Sequence, residues 1–493
     1  MLRNYTYALV LLFQINLFAQ TPCDSTTGMA GEYPCKDYDL MSTLPISILG
    51  LSGSGNGSDI WGWTDPLDGK EYAIMGFADS TAFVDVTDPV NPIFLGRIDT
   101  ATEANLWRDV KVYNNHAFIV ADNVGSHGMQ VFDLTILRDG VDPDLTYDGE
   151  QVLQYTGDGG IGDLVIGSCH NIVINENEGV AYLVGCGANG GGPIFLDITD
   201  PANPTTLGNY TAGGYSHDAQ VVTYNGPDTD YTGRQIYVGS NGNSKVVILD
   251  VTDKDNVIAI SDFTYPQFGY AHQGWFTGDQ KYFILGDEFD EINNGTNTRT
   301  LVFDFTDLDN PSLSSTYIGT TEAADHNGYV NGDKFYLANY RAGLRVLDIT
   351  NISAPTDPMT EIGYFDTYPS SDTPSYSGAW SVYPYFASGN IIISDMQRGL
   401  FVVRKSGTLN TLDFEIESND FSLSPNPTTS FATVKSLRDK KINAIEIHSL
   451  LGQKVFTKDD INKKSYALPV KGYSKGIYLI KINNASTKRL IIK

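Results

Sequence analysis

Four histidines recur along the chain, and each has a polar residue directly after it. They are His170 before Asn171 in SCHNI, His217 before Asp218 in YSHDA, His272 before Gln273 in YAHQG, and His326 before Asn327 in ADHNG. The gaps between them are 47, 55 and 54 residues. Imidazole binds zinc, copper and iron, and an adjacent amide or carboxylate can fix its tautomer. If the fold brings the four together, His170, His217, His272, His326 and Asp218 form a candidate metal set. The rival is that a repeated histidine merely bonds one repeat to the next. Three further segments fit the same column, with Ile60 or Trp61 in DIWGW, Arg108 in LWRDV and Trp380 in GAWSV. Arg108, Trp61 and Trp380 would then add one cation and aromatic walls to a binding mouth, beside Tyr270 and Tyr376.

Calcium is the second candidate ion, through acidic loops. Asp139, Asp142, Asp144 and Asp148 crowd one loop, Asp228 and Asp230 another, and Asp287, Glu288, Asp290 and Glu291 a third. Oxygen-rich loops suit calcium, but none follows the twelve-residue EF-hand pattern, and a solvated acidic turn is the rival. Other motifs lead nowhere. GSGNG at 53–57 lacks a Walker lysine, and no GxSxG elbow occurs. His116 and His127 sit in turn-like contexts and are expected to be exposed, and His448 to be structural.

The elements that must position the histidines repeat as well. FVDVTDPVNP, VFDLT, IFLDITDPANP, VILDVTDKDN, VFDFTDLDNP and VLDITNISAP place an Asp at 85, 133, 197, 250, 304 and 348, and Arg404 fills the same slot in GLFVVRKS. Successive Asp spacings are 48, 64, 53, 54 and 44. A β-rich repeat of about 40–50 residues marks a propeller of four-stranded blades. Seven openings between Ile46 and Lys405 predict an all-β, seven-bladed β-propeller whose first strands line a central channel. A strand from Met41–Leu51 is expected to complete the last blade. Each repeated Asp is expected to bond the amides of the following turn.

Composition bounds the setting. Met1–Gln20 has Arg3 and then an apolar run interrupted at Gln14 and Asn16, which reads as an export signal and is too short for a membrane span. Pro22 before Cys23 argues against a lipoprotein. Four cysteines in an oxidising compartment point to disulfides Cys23–Cys35 and Cys169–Cys186, with zinc ligation as the rival. The net charge of −27 hides an asymmetry. Residues 421–493 carry 14 basic and 4 acidic side chains, which leaves −37 on the remainder. So acidic a module excludes a nucleic-acid partner.

After a polar connector, FSLSPNPTTSFATV, INAIEIHSLLGQKVF and KGIYLIKINN read as a small C-terminal β-sandwich. The motifs LSPNPTTS, LLGQKV and KGIYLIKI resemble the type A C-terminal sorting domain of the Bacteroidetes type IX secretion system. That resemblance implies that the type IX machinery handles residues 421–493, crossing of the outer membrane, and removal of the domain, leaving the protein secreted or attached at the cell surface. The segment CDSTTGMAGEYPCKDYDL, with SCHN, YSHDAQV, NGPDTDYTG, YAHQGWF and the LDxTDPxNP repeats, resembles the choice-of-anchor B family with its LVIVD-type repeats. The expected order is signal peptide 1–20, disulfide-containing segment 21–45, propeller 46–405, linker 406–420 and sorting domain 421–493. The expected function is an exported binding module for an extracellular protein or glycan. The alternative is a metal-dependent hydrolase or oxidoreductase at the histidine-lined mouth.

Overall fold

A computed structural model describes residues 20–50, 56–141, 146–158, 164–407, 421–437, 440–449, 454–473, 475–483 and 486–493. Residues 1–19 of the expected export signal 1–20, most of the linker, the GSGNG start and two carboxylates of the first acidic loop, Asp142 and Asp144, lie outside them. The chain divides into two compact units, Met1–Ser406 and Gly407–Lys493.

The larger unit is a seven-bladed propeller. Its blades open with Gly57–Thr64, Arg108–Tyr113, Asn171–Asn175, Asp218–Thr223, Ala271–Phe276, Gly328–Asn331 and Ala379–Tyr383. Each opening strand packs on that of the next blade, and the seventh packs on the first, so the ring is closed. Blade 1 gains Thr146–Tyr147 at its outer edge, and blade 6 gains Tyr33–Lys36 followed by Met29–Ala30. Aromatic and branched residues fill the spaces between blades. Phe83 of blade 1 stacks on Phe132 of blade 2 with ring centroids 4.6 Å apart. A fully buried side chain of this size contributes about 1.5–3 kcal/mol.

The repeated aspartates hold the turns. Asp85, Asp133, Asp197, Asp250, Asp304 and Asp348 each accept the backbone N–H two residues on, at 2.8–2.9 Å. Arg404 in the seventh slot instead donates to Asn390 within its own blade.

Blade 7 borrows its outer strand from the start of the propeller. Tyr38–Leu44 runs antiparallel to Gly399–Lys405, with Tyr38 opposite Lys405 and Leu44 opposite Leu400. The closing strand therefore begins and ends earlier than Met41–Leu51. Pro45 stops it, since proline has no N–H for the ladder, and Ile46–Leu49 turns into a short helix. Both expected disulfides are formed, Cys23–Cys35 and Cys169–Cys186.

The smaller unit is a two-sheet β fold. Phe421–Ser424, Phe431–Ser436 and Ser465–Pro469 form one sheet, and Lys454–Lys458, Ile445–Ser449, Gly476–Ile482 and Ser486–Ile492 the other. Ile445, Ile447, Leu468, Ile480 and Leu490 form its dry core. His448 pairs with Glu446 there. Among the described residues, no helix is long and apolar enough to cross a membrane.

Candidate functional site

Each histidine of the column sits at the entry of an opening strand. The backbone N–H groups of His170, His217 and His326 donate to Val184, Ser240 and Ala338 of the neighbouring second strand, at 3.0, 2.8 and 3.0 Å. This anchoring presents their side chains to the hub at one end of the ring. The imidazoles form a continuous arc, with centroids 4.3 Å apart from His170 to His217, 4.4 Å on to His272 and 4.2 Å on to His326. Trp380 extends the arc, 4.8 Å from His326.

The ring nitrogens are divided between two jobs. Nδ1 of His217 donates to the carbonyl of His272 in the next blade at 3.1 Å, and Nδ1 of His326 to the carbonyl of Trp380. Nδ1 of His170 bonds Asp122 at 3.0 Å. Binding between blades therefore occupies Nδ1. A proton held on Nδ1 leaves Nε2 as a bare lone pair. Nδ1 of His272 is buried and has no hydrogen-bond partner among the described residues.

Glu288 completes the cluster. Its two carboxylate oxygens lie 3.8 Å from Nε2 of His272 and 3.9 Å from Nε2 of His326, and the Tyr340 hydroxyl donates to it at 2.7 Å. Burial pushes Glu288 up to about 7. Burial pulls His217 and His272 well below the ordinary imidazole value, and His326 to about 4. These three imidazoles are neutral at neutral pH. Together the groups line a cavity of about 470 Å³ whose walls include Tyr215, Tyr270, Tyr376 and Trp380. In sequence Glu288 sits within an acidic loop, and its position one residue past the second strand of a histidine-bearing blade is the signal that marks it.

Asp218 belongs to the layer beneath. One residue after the column, every blade offers a polar side chain: Asp59, Asp109, Asn171, Asp218, Gln273, Asn327 and Ser381. Several of these tie neighbouring opening strands together. Asp109 accepts from Ile172 N at 2.7 Å, Gln273 from Gly328 N at 3.0 Å, and Asn171 donates to the His217 carbonyl at 3.0 Å. Lys111 reaches into this layer, 2.5 Å from Asp109 and 3.1 Å from Asp59. Burial raises Asp218 and Asp59 to about 7. Asp218 is thus set among carboxylates and Lys111 and does not join the histidine–glutamate group.

Trp61 and Arg108 also depart from the expected mouth. Blade 1 pairs Gly57 with Phe77 as blade 5 pairs Ala271 with Asp287 and blade 7 Ala379 with Asp395. The residue in the histidine column is therefore Ser58, not Ile60 or Trp61. Three residues farther along an extended strand is about 10 Å. Trp61 accordingly lines a separate cavity of about 400 Å³ with Lys111, Trp275, Tyr383 and Tyr385. Arg108 is buried with its guanidinium in the wall, bonding the Phe77 carbonyl at 3.0 Å and Nε2 of His127 at 3.3 Å.

His127, expected at the surface, is fully buried. Burial and Arg108 pull it down to about 4. Its unfolded value near 6.5 is the higher, so its contribution to stability is complete above pH 6.5 and is lost as pH falls toward 4. Between pH 7 and pH 4.5 wild type is expected to lose on the order of 2–3 kcal/mol more than His127→Gln. Parallel thermal melts at the two pH values check this, and identical losses would refute it.

Asp287, Asp290 and Glu291 of the third acidic loop are buried and bound to neighbouring groups, while Oδ1 of Asp290 and Oε2 of Glu291 have no hydrogen-bond partner among the described residues. Asp287 accepts from Tyr265, Gly269 and Tyr270, Asp290 pairs with Arg299, and Glu291 accepts from Arg299 N. Asp228 of the second loop takes N–H groups from Asp230 and Leu308, and its carboxylate faces Asp307 and Asp309.

Residues 422–493 match the secretion system C-terminal sorting domain, and residues 329–367 match the LVIVD repeat. The chain therefore carries the sorting domain of type IX secretion, which directs it to the cell surface. No curated protein matches. Among solved structures, the chain is similar to the WD40 β-propeller domain of Doa1, at 12% identity over 75% of this chain and 97% of that one, TM-score 0.48. It is also similar to Kuenenia stuttgartiensis hydrazine synthase, at 13% identity over 68% and 92%, TM-score 0.45. A third is a hypothetical selenium-binding protein from Sulfolobus tokodaii, at 12% identity over 62% and 80%, TM-score 0.38.

Proposed function

We propose that this exported propeller, of the choice-of-anchor B type, is a surface-attached binding module that takes part of an extracellular glycan or protein into its hub cavity. The observation that carries the reading is the composition of that cavity. Aromatic rings of Tyr215, Tyr270, Tyr376 and Trp380 line it together with the histidines and Glu288. Concave sites with apolar walls and a few convergent polar groups are the usual form of ligand pockets. Aromatic faces suit sugar rings and side chains alike, and the polar groups would select among them.

Glycan and peptide arrays probed with the full chain test this. Tyr376 is 43% exposed at the rim, so Tyr376→Ala should leave the fold intact. The expected result is a defined set of array hits whose affinity drops at least tenfold in Tyr376→Ala. Hits indifferent to Tyr376→Ala and to a cavity-filling His217→Phe variant would overturn the reading.

The second reading, a metal-dependent hydrolase or oxidoreductase, is favoured by the carboxylate of Glu288 facing two imidazoles. Turnover on a broad hydrolase and oxidase panel that vanishes in Glu288→Gln would support it over simple binding.

A further inference from the structure

We infer that His272, Glu288 and His326 hold one divalent transition ion of the zinc class, with its remaining coordination position open to the hub cavity. The inference rests on the cavity being the ligand site and adds what anchors the ligand there.

Four observations carry it. First, the three groups converge from two blades, with one ligand atom from each within 4.8 Å of the others. Second, the contacts of 3.8 and 3.9 Å are too long for hydrogen bonds. Ligand atoms around a tetrahedral zinc stand about 3.3 Å apart, so small side-chain rotations close the set on an ion. Third, Nε2 of both histidines is unengaged by hydrogen bonds among the described residues, and the Nδ1 bond of His326 fixes the tautomer an ion requires. Fourth, the Glu288 side chain is only 13% exposed and has no lysine or arginine against it among the described residues. A charge in that position calls for a counter-charge, which a divalent cation supplies. Tyr340 already orients the carboxylate from outside, as outer partners of metal ligands do.

The donor set also selects the ion. Two imidazoles and one carboxylate suit zinc and its first-row neighbours, whereas calcium and magnesium prefer oxygen throughout. The protein supplies three ligands, so a donor atom of the bound molecule, or water, can take the open position.

The test uses the full chain, stripped with chelator and titrated with zinc alone and with cobalt alone. Cobalt bound by two imidazoles and a carboxylate gives intense visible d–d bands, which report the ligand set without any assay of function. The expected result is one ion per chain, with affinity at least tenfold weaker in Glu288→Gln and in His326→Ala and unchanged in His116→Ala. Glu288→Gln is nearly isosteric, and an unchanged metal-free melt will confirm that it folds. Equal binding by Glu288→Gln, or binding that disappears only in Asp228→Asn, would overturn the inference. Repeating the arrays on chelated protein separates the two readings. Cavity-dependent hits without metal binding sink the ion alone, while metal binding without array hits sinks the ligand cavity.

Discussion

Deleting Tyr38–Leu44 is expected to abolish the cooperative thermal transition of the propeller. Those seven residues are the outer strand of blade 7, paired along their length with Gly399–Lys405. Without them the last blade has three strands and an open edge beside the ring closure. Tyr38, Met41 and Leu44 are all buried. Truncating a buried Leu or Met to Ala costs about 2–5 kcal/mol. Losing three such side chains with their backbone bonds rivals the whole stability of a typical domain, about 5–15 kcal/mol. Met41→Ala is the graded version and should lower stability by about 2–5 kcal/mol. Calorimetry on the deletion and on Met41→Ala checks both. A deletion that still melts in one transition at the wild-type temperature would show that the ring does not need this strand.

Lys111→Met is expected to be the most damaging single substitution within the channel. The ammonium stands between Asp109 and Asp59 and lies 4.7 Å from the Trp61 ring centroid. The two Asp side chains are almost wholly buried. Removing the cation leaves two carboxylates without a counter-charge, a loss of about 3–5 kcal/mol. The deficit should depend on pH. Burial has already raised Asp59 to about 7, against 3.8 when unfolded. For a raised carboxylate, the stabilising effect of its proton is full below the unfolded value and is lost as pH rises through the folded one. Lys111→Met should therefore be worst above pH 7 and milder near pH 5. Combining it with Asp59→Asn and Asp109→Asn should recover most of the loss, because the three act as one unit. Urea melts at pH 5 and pH 8 measure both effects, and a deficit independent of pH and of the two Asp changes would refute the account.

Much of the fold was legible because its signals are local. Each repeated Asp bonds an amide two residues away, so the motif shows the turn directly. The histidine column was legible because the blades repeat it at the same strand entry. Errors arose where a side chain's direction depends on another blade. Trp61 resembled Trp380 in type, yet the ladder register assigns blade 1's place in the column to Ser58. Arg108 occupies the column but turns into the wall toward His127, a residue whose following glycine suggested an exposed turn. Glu288 was hidden among neighbouring acids that serve backbone amides and Arg299. Only the return of the second strand to the hub distinguishes it. The closing strand was misplaced because its end is set by Pro45 and its start by pairing with a segment more than 350 residues away.

That pairing also has a consequence for the order of synthesis. The ribosome makes residues 38–44 long before their partners at 399–405, and the sorting domain at 422–493 follows after that. A product that stalls in any earlier blade lacks the clasp and the export address together. A chain that has reached its sorting domain has therefore already made every blade and the partner of its closing strand.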